Sequence, residues 1–370
     1  MGSYSRLIFA DQIAGSILLL ISVLVFPTVA LAQEPSQSLN GNSALQSSEA
    51  LPKESGSKGL VDTQLKQIID QMAAAGVLHP TTLEQAEKAY LFYTRLSGPP
   101  EQVYRVDSRA ISTAIGSIPV RIYYPRDERN LPVWVFFHGG GFVTGDLDTH
   151  DAPLRAVANR CNCLVVSVAY QLAPQHPFPA APNDCYAATA WVREHAAEIG
   201  GDPNRIAVGG DGAGGNLAAV VALMARDRGG PHISYQVLIY PILDADMSTK
   251  SWIESADPLL TNEAMLAKLS AYVPISLGLA NPFANPYISP ASAASLKGVP
   301  PAFIITDEND PLRDEDKDYA RDLIDAGITV EFFSYPNAIH GFFLMSGELD
   351  AGKRSIDQVS AALRQAFTKN

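Results

Sequence analysis

Cysteine is scarce: the 370 residues hold three, Cys161, Cys163 and Cys185, with no CxxC pair and no Cys/His zinc spacing. That excludes a disulfide-dense scaffold, and neither a metal site nor a cofactor is expected. Basic residues are in deficit, 27 Lys plus Arg against 39 Asp plus Glu, for a net charge of −12. So acidic a chain repels a phosphate backbone, which excludes nucleic acid as a partner. Aromatic residues are absent from 33–59, where seven Ser stand among Gln, Asn and Gly. Such a stretch buries too little surface to offset its ordering entropy and reads as a flexible Ser-rich linker. Elsewhere 14 Tyr, 14 Phe and a 47% hydrophobic composition supply a core, so wholesale disorder is excluded.

The first 32 residues carry Arg6, an apolar run from Ile13 to Phe26, Pro27, and then Ala30-Leu31-Ala32. The small residues at Ala30 and Ala32 match the A-x-A pattern of a secretory signal peptide, so a mature chain from Gln33 is expected, exported to the periplasm or secreted. The alternative is an uncleaved N-terminal membrane anchor, because the apolar run approaches spanning length. After cleavage no membrane contact is expected. Removing Arg6 together with Asp11 leaves the protein as acidic as before.

Periodicity begins with Leu65, Ile68, Ile69 and Met72, an i, i+3, i+4, i+7 set that predicts a helix ending at Gly76. A second helix is expected after Pro80, with Thr82 and Gln85 as its capping box. From Val120 onward, short β-branched and aromatic runs alternate with helical stretches: Val120 to Tyr124, Val133 to Phe137, Leu164 to Val168, Arg205 to Gly209, Gln236 to Tyr240, Ala302 to Thr306 and Val330 to Tyr335. Most lack polar alternation, as strands covered on both faces do. This predicts an α/β domain over 60–370 with a mostly parallel sheet. Asp244 to Pro290 lacks a strand and reads as a helical insertion.

Chemistry concentrates just after the strands. His138-Gly139-Gly140-Gly141-Phe142 follows one of them, and its glycines let backbone N–H groups point into a cleft where an oxyanion can bind. Gly210-Asp211-Gly212-Ala213-Gly214-Gly215 joins a strand to a helix of small residues, with Gly210 and Gly214 at the two positions a nucleophile elbow needs to close. The central residue is Gly212, which has no side chain, and no G-x-S-x-G occurs elsewhere. Asp310, in DPLRDE, and His340, in HGF, follow later strands. An Asp there can fix an imidazole tautomer, and a His there can act as general base. His138, His150, His176 and Asp211 read as structural, hydrogen-bonded residues.

Residues 62–367 resemble the hormone-sensitive-lipase-like (bacterial carboxylesterase) family of α/β-hydrolases, because HGGGF, YQLAPQHPFP (170–179), GDGAGG, DPLRDE and HGF occur in that family's order and spacing. The resemblance implies an α/β-hydrolase fold with a helical cap from 62–97 and 245–290. It also implies an oxyanion hole from the N–H groups of Gly140, Gly141 and Ala213, an acid at Asp310 and a base at His340. The family pattern GDSAGG places Gly212 at the position of the missing nucleophilic serine. Two smaller departures, Gln171 and Gln175 for the Arg and Glu of YRLAPE, and Asp316 for the Gly of DEG, put local stability in doubt and leave the triad positions untouched.

The family reaction is hydrolysis of short-chain carboxylic esters through an acylated serine, which glycine cannot support. Hydrolysis is therefore expected to be strongly impaired. Two alternatives stand beside this reading: a non-catalytic binding protein for a small ester or carboxylate ligand, and a slow hydrolase using water activated by His340. The oligomeric state is not legible. Cys161 and Cys163 are expected not to pair with each other, since an i, i+2 bridge in an extended segment is geometrically poor, and any bond is expected to involve Cys185.

Overall fold

The computed structural model describes residues 63–369 except 245 and 256. The signal peptide and the Ser-rich linker lie outside the described residues. The chain opens with helices α1 (Thr63–Ala74) and α2 (Leu83–Tyr93). Leu65, Ile68 and Met72 form the buried stripe of α1, as their spacing predicts. The helix stops at Gly76 (φ +64), where the Val77 N–H donates to Met72 O and the Gly76 N–H to Ala73 O, a turn that suits a residue without Cβ. Thr82 caps α2 by accepting from the Gln85 N–H. The Gln85 side chain reaches back one residue further than a capping box requires, accepting from the Thr81 N–H at 2.9 Å.

Eight strands form one sheet in the order β1-β2-β4-β3-β5-β6-β7-β8. They are β1 (Arg105–Thr113), β2 (Gly116–Tyr124), β3 (Leu131–Phe137), β4 (Leu164–Val168), β5 (Gly201–Asp211), β6 (Tyr235–Ile239), β7 (Ala302–Asp307) and β8 (Val330–Tyr335). From β4 to β8 across the sheet the pairing is parallel, whereas β1–β2 and β2–β4 are antiparallel. Every expected strand is present. Strand β1 is the addition: it lies at the edge and only Ile111 is buried, so its sequence shows no apolar run.

Alternate residues of β3 feed two cores. Val133, Val135 and Phe137 join one face, while Trp134 and Phe136 join the other. Helices α3 (Asp151–Cys161), α4 (Ala180–His195), α5 (Ala213–Arg228), α8 (Arg313–Asp325) and α9 (Asp350–Lys369) accompany the sheet. Between β6 and β7 lie α6 (Lys250–Glu254) and α7 (Asn262–Tyr272), the helical insertion expected there. This segment meets the N-terminal helices: the His79 N–H donates to Pro258 O at 2.8 Å, and the Thr261 hydroxyl donates to Pro80 O.

The cysteine expectation is corrected. Cys161 and Cys163 are joined by a disulfide with a Cα–Cα distance of 5.4 Å, and Cys185 is free and buried. The segment is not extended: Cys161 ends α3, and Asn162 adopts the left-handed conformation (φ 54°, ψ 48°) that brings the two thiols together. Cys185 cannot substitute, since it belongs to the core on the opposite face of the sheet.

Candidate active site

Topology brings the two glycine-rich loops together. The chain passes from β3 outward to β4, then returns to place β5 on the other side of β3. This is a topological switch point, where the loops leaving neighbouring parallel strands diverge and open a crevice. The register pairs Phe137 with Gly210, so the 138–142 loop and the 210–215 turn leave the sheet side by side.

The turn is as tight as the sequence suggests. A Cβ on Gly214 would lie 1.9 Å from Phe137 O, and one on Gly210 would lie 2.3 Å from the same oxygen, so neither position admits a side chain. Gly212 differs. Its backbone is left-handed (φ 52°, ψ −113°), yet a Cβ there would meet only His340, at 3.5 Å from Nε2 and 3.8 Å from Cε1. The turn is pinned by the Gly212 N–H donating to Ile239 O at 2.9 Å and the Ile242 N–H donating to Gly212 O at 3.2 Å. Ala213 opens α5, so its N–H is among those that a helix leaves without an internal acceptor.

Asp211 is structural, as expected. Its Oδ1 accepts from the Gly139 N–H at 2.8 Å and sits 2.9 Å from His150 Nε2, tying the end of β5 to the glycine loop and to the start of α3. His138 is buried with Nδ1 2.8 Å from Gly139 O, and burial with the neighbouring His150 pushes its pKa down to about 4, so it is neutral and does no proton chemistry near pH 7. His176 is exposed and far less engaged.

Asp310 and His340 meet across the post-strand loops. His340 Nδ1 lies 2.9 Å from Asp310 Oδ2, while Asp310 Oδ1 accepts the Leu312 N–H at 2.9 Å. Asp310 is fully buried, and its hydrogen bonds fix the imidazole with Nε2 toward Gly212. Burial alone would lower the His340 pKa, but the Asp310 charge and hydrogen bond, with the Asp257 charge, outweigh it and the net shift is upward. Together the pair can hold a neutral imidazole in one tautomer and stabilise the imidazolium that proton transfer creates.

Two residues at the site were missed by sequence reasoning. Asp257 is buried, and its Oδ2 accepts the His340 backbone N–H at 2.7 Å while Oδ1 accepts from Leu259 and Leu260. Only the Asp-Pro dipeptide hinted at it, as a turn. Lys268 on α7 is 9% exposed, with its side chain against Gly141. Its signal was readable: Ala264, Met265, Lys268, Leu269 and Tyr272 form the buried stripe of α7, and a lysine there breaks an apolar pattern.

The departures from the family pattern have local consequences. Gln171 keeps a link, with its N–H donating to Asp184 Oδ2 at 2.9 Å and its amide donating to Oδ1 at 3.3 Å. A polar contact to the Asp184 carboxylate therefore stands at this departure. Asp316 is fully buried, and burial, with Asp310 and Glu315 nearby, pushes its carboxyl well above the ordinary range. Among the described residues there is no cluster of three or more metal-ligating side chains and no helix long and apolar enough to cross a membrane.

Comparison with known proteins follows the same geometry. Residues 134–344 match the family described as alpha/beta hydrolase fold. Carboxylesterase NlhH of Mycobacterium tuberculosis is 42% identical over 312 residues, spanning 83% of this chain and 96% of that protein. A hyperthermophilic esterase from the archaeon Pyrobaculum calidifontis superposes with a TM-score of 0.75 at 40% identity, over 82% of this chain and 98% of that one. A serine-to-alanine mutant of esterase rPPE, solved in complex with (S)-Ac-CPA, superposes with a TM-score of 0.76 at 35% identity, over 85% of this chain and 99% of that one. With the family matched over more than half its length and a relative aligned along most of its own, this chain belongs to the α/β-hydrolase fold family.

Proposed function

We propose that this protein is a carboxylesterase-type hydrolase whose acyl-enzyme route is disabled at Gly212, and whose pocket binds small esters or carboxylates with little turnover. The observation that carries this reading is the direction of the absent side chain at 212: it faces His340 Nε2 at 3.5 Å, with Asp310 2.9 Å behind the ring. A serine hydroxyl at that position would give its proton to Nε2 as its oxygen attacks the ester carbonyl. The oxyanion would form against the N–H groups of Gly140, Gly141 and Ala213. The imidazolium would then protonate the departing alcohol, and water would release the acid by the reverse relay. Glycine supplies no oxygen for the first step. Loss of such a serine costs roughly 10⁶ in kcat, which leaves the backbone donors and the binding surface intact.

Binding without turnover is supported by the esterase relative that holds (S)-Ac-CPA while carrying a serine-to-alanine substitution. Calorimetry with a panel of short acyl esters and carboxylates tests the reading, with roughly micromolar to millimolar affinity expected. Silence across the whole panel would count against it. A slower reading is favoured by the retained Asp310–His340 pair: an imidazole of raised basicity whose Nε2 faces the Gly212 position can activate water directly. Residual ester turnover that disappears in His340→Ala would support that route.

A further inference from the structure

Lys268 is a buried charged residue beside the glycine loop that the hydrolytic reading leaves without a task. The side chain descends from α7 onto the glycine loop, and a Cβ on Gly141 would lie 2.3 Å from its Cδ and 3.2 Å from its Cε. Gly141 must therefore lack a side chain for the lysine to lie where it does. The residue is 9% exposed, and among the described residues no hydrogen bond or ion pair engages its ammonium. Burial lowers the Lys268 pKa to about 8, against the opposing charge of Glu87 on α2.

A lysine nine-tenths buried with no counter-ion in contact is unfavourably placed, and an anion entering beside its ammonium can complete it. Its stem runs beside Gly141, whose N–H is among the donors assigned to the oxyanion, so a ligand whose carbonyl oxygen lies there brings its neighbouring atoms to the lysine. The charge also reaches His340, whose imidazolium it opposes. An anion at Lys268 would relieve both.

We infer that Lys268 is a specificity-determining residue, forming with the Gly141 backbone a subsite for a carboxylate, so that the preferred ligands are half-esters in which an ionised acid lies a few bonds from the ester carbonyl. This rests on the pocket assignment above and adds a substrate class to it.

The test measures binding to the protein with Gly212 in place. Two half-esters are compared with their neutral methyl esters at pH 7 by calorimetry: monomethyl succinate against dimethyl succinate, with the acid on the acyl side, and acetoxyacetate against methyl acetoxyacetate, with the acid on the alcohol side. At least one half-ester should bind about tenfold or more tightly than its neutral partner, the scale of a charge-assisted contact. In Lys268→Met, which keeps the apolar stem and removes the charge, that ratio should fall to near one. Neutral esters that bind as well as both half-esters would overturn the subsite and leave the pocket reading standing. A preference that survives Lys268→Met would also overturn the subsite. No binding of any of the four compounds would overturn both readings together. The comparison in the unsubstituted protein decides the matter even if Lys268→Met does not fold.

Discussion

His340 presents Nε2 3.5 Å from the point where a side chain on Gly212 would begin, at the distance of an ordinary van der Waals contact. The imidazole, Asp310 and the elbow are therefore grouped around a position that carries no side chain. Gly210 and Gly214 would clash with Phe137 O if substituted, whereas Gly212 has room.

Restoring the hydroxyl is accordingly the most informative substitution. Gly212→Ser should raise hydrolysis of a short-chain nitrophenyl ester by roughly 10² to 10⁶. The left-handed backbone at 212 (φ 52°) suits glycine, so the variant should also lose about 1–3 kcal/mol of stability, read by denaturant unfolding. A folded variant that stays inert on esters of several chain lengths would show that the pocket itself has diverged.

In that active background the pH profile reports the buried acids around His340. The base works only when neutral, so its raised pKa should place the rise of kcat/KM above the ordinary histidine value. Asp257→Asn removes one of the charges that raise it and leaves the His340 N–H poorly accepted. The inflection should move to lower pH and kcat should fall about tenfold. An unchanged inflection would mean that Asp257 serves its own loop, through Leu259 and Leu260, and does not act on the imidazole.

Glu315 gives a pH dependence of stability. Burial outweighs the Leu243 and Asp244 N–H groups and raises its pKa from 4.5 to about 8. Between those values the folded chain holds a proton that the unfolded chain has released, so stability falls as pH rises through that window. Glu315→Gln keeps an acceptor for the Leu243 N–H and removes the titration. Its melting temperature relative to the parent should increase from pH 5 to pH 9, and parallel curves at all pH values would refute this assignment.

The disulfide yields a simple count. With Cys161 bonded to Cys163, denatured and unreduced protein should titrate one thiol per chain, and peptide mapping should assign it to Cys185. A count of three would mean that the bridge is not formed in the isolated protein.

The strand pattern was legible wherever burial was two-sided. Val133 to Phe137 and Leu164 to Val168 are fully buried, and covered strands leave continuous apolar runs. Strand β1 left none, because an edge strand with one buried residue has a surface composition. The helix of Leu65, Ile68 and Met72 was legible for the complementary reason, a single stripe at helical spacing.

For the site, the sequence by itself determined which residue types stand after which strands: three glycines after β3, a glycine-rich turn centred on Gly212 after β5, Asp310 after β7 and His340 after β8. Such motifs are local, because a tight turn or a post-strand loop constrains only its own few residues. Tertiary structure alone decided the rest. Asp257 holds His340 across 83 residues of chain, and Lys268 on α7 rests on the glycine loop that follows β3. Contacts of this kind depend on where the sheet order and the insertion after β6 carry each segment, and residue spacing along the chain holds no record of that distance in space.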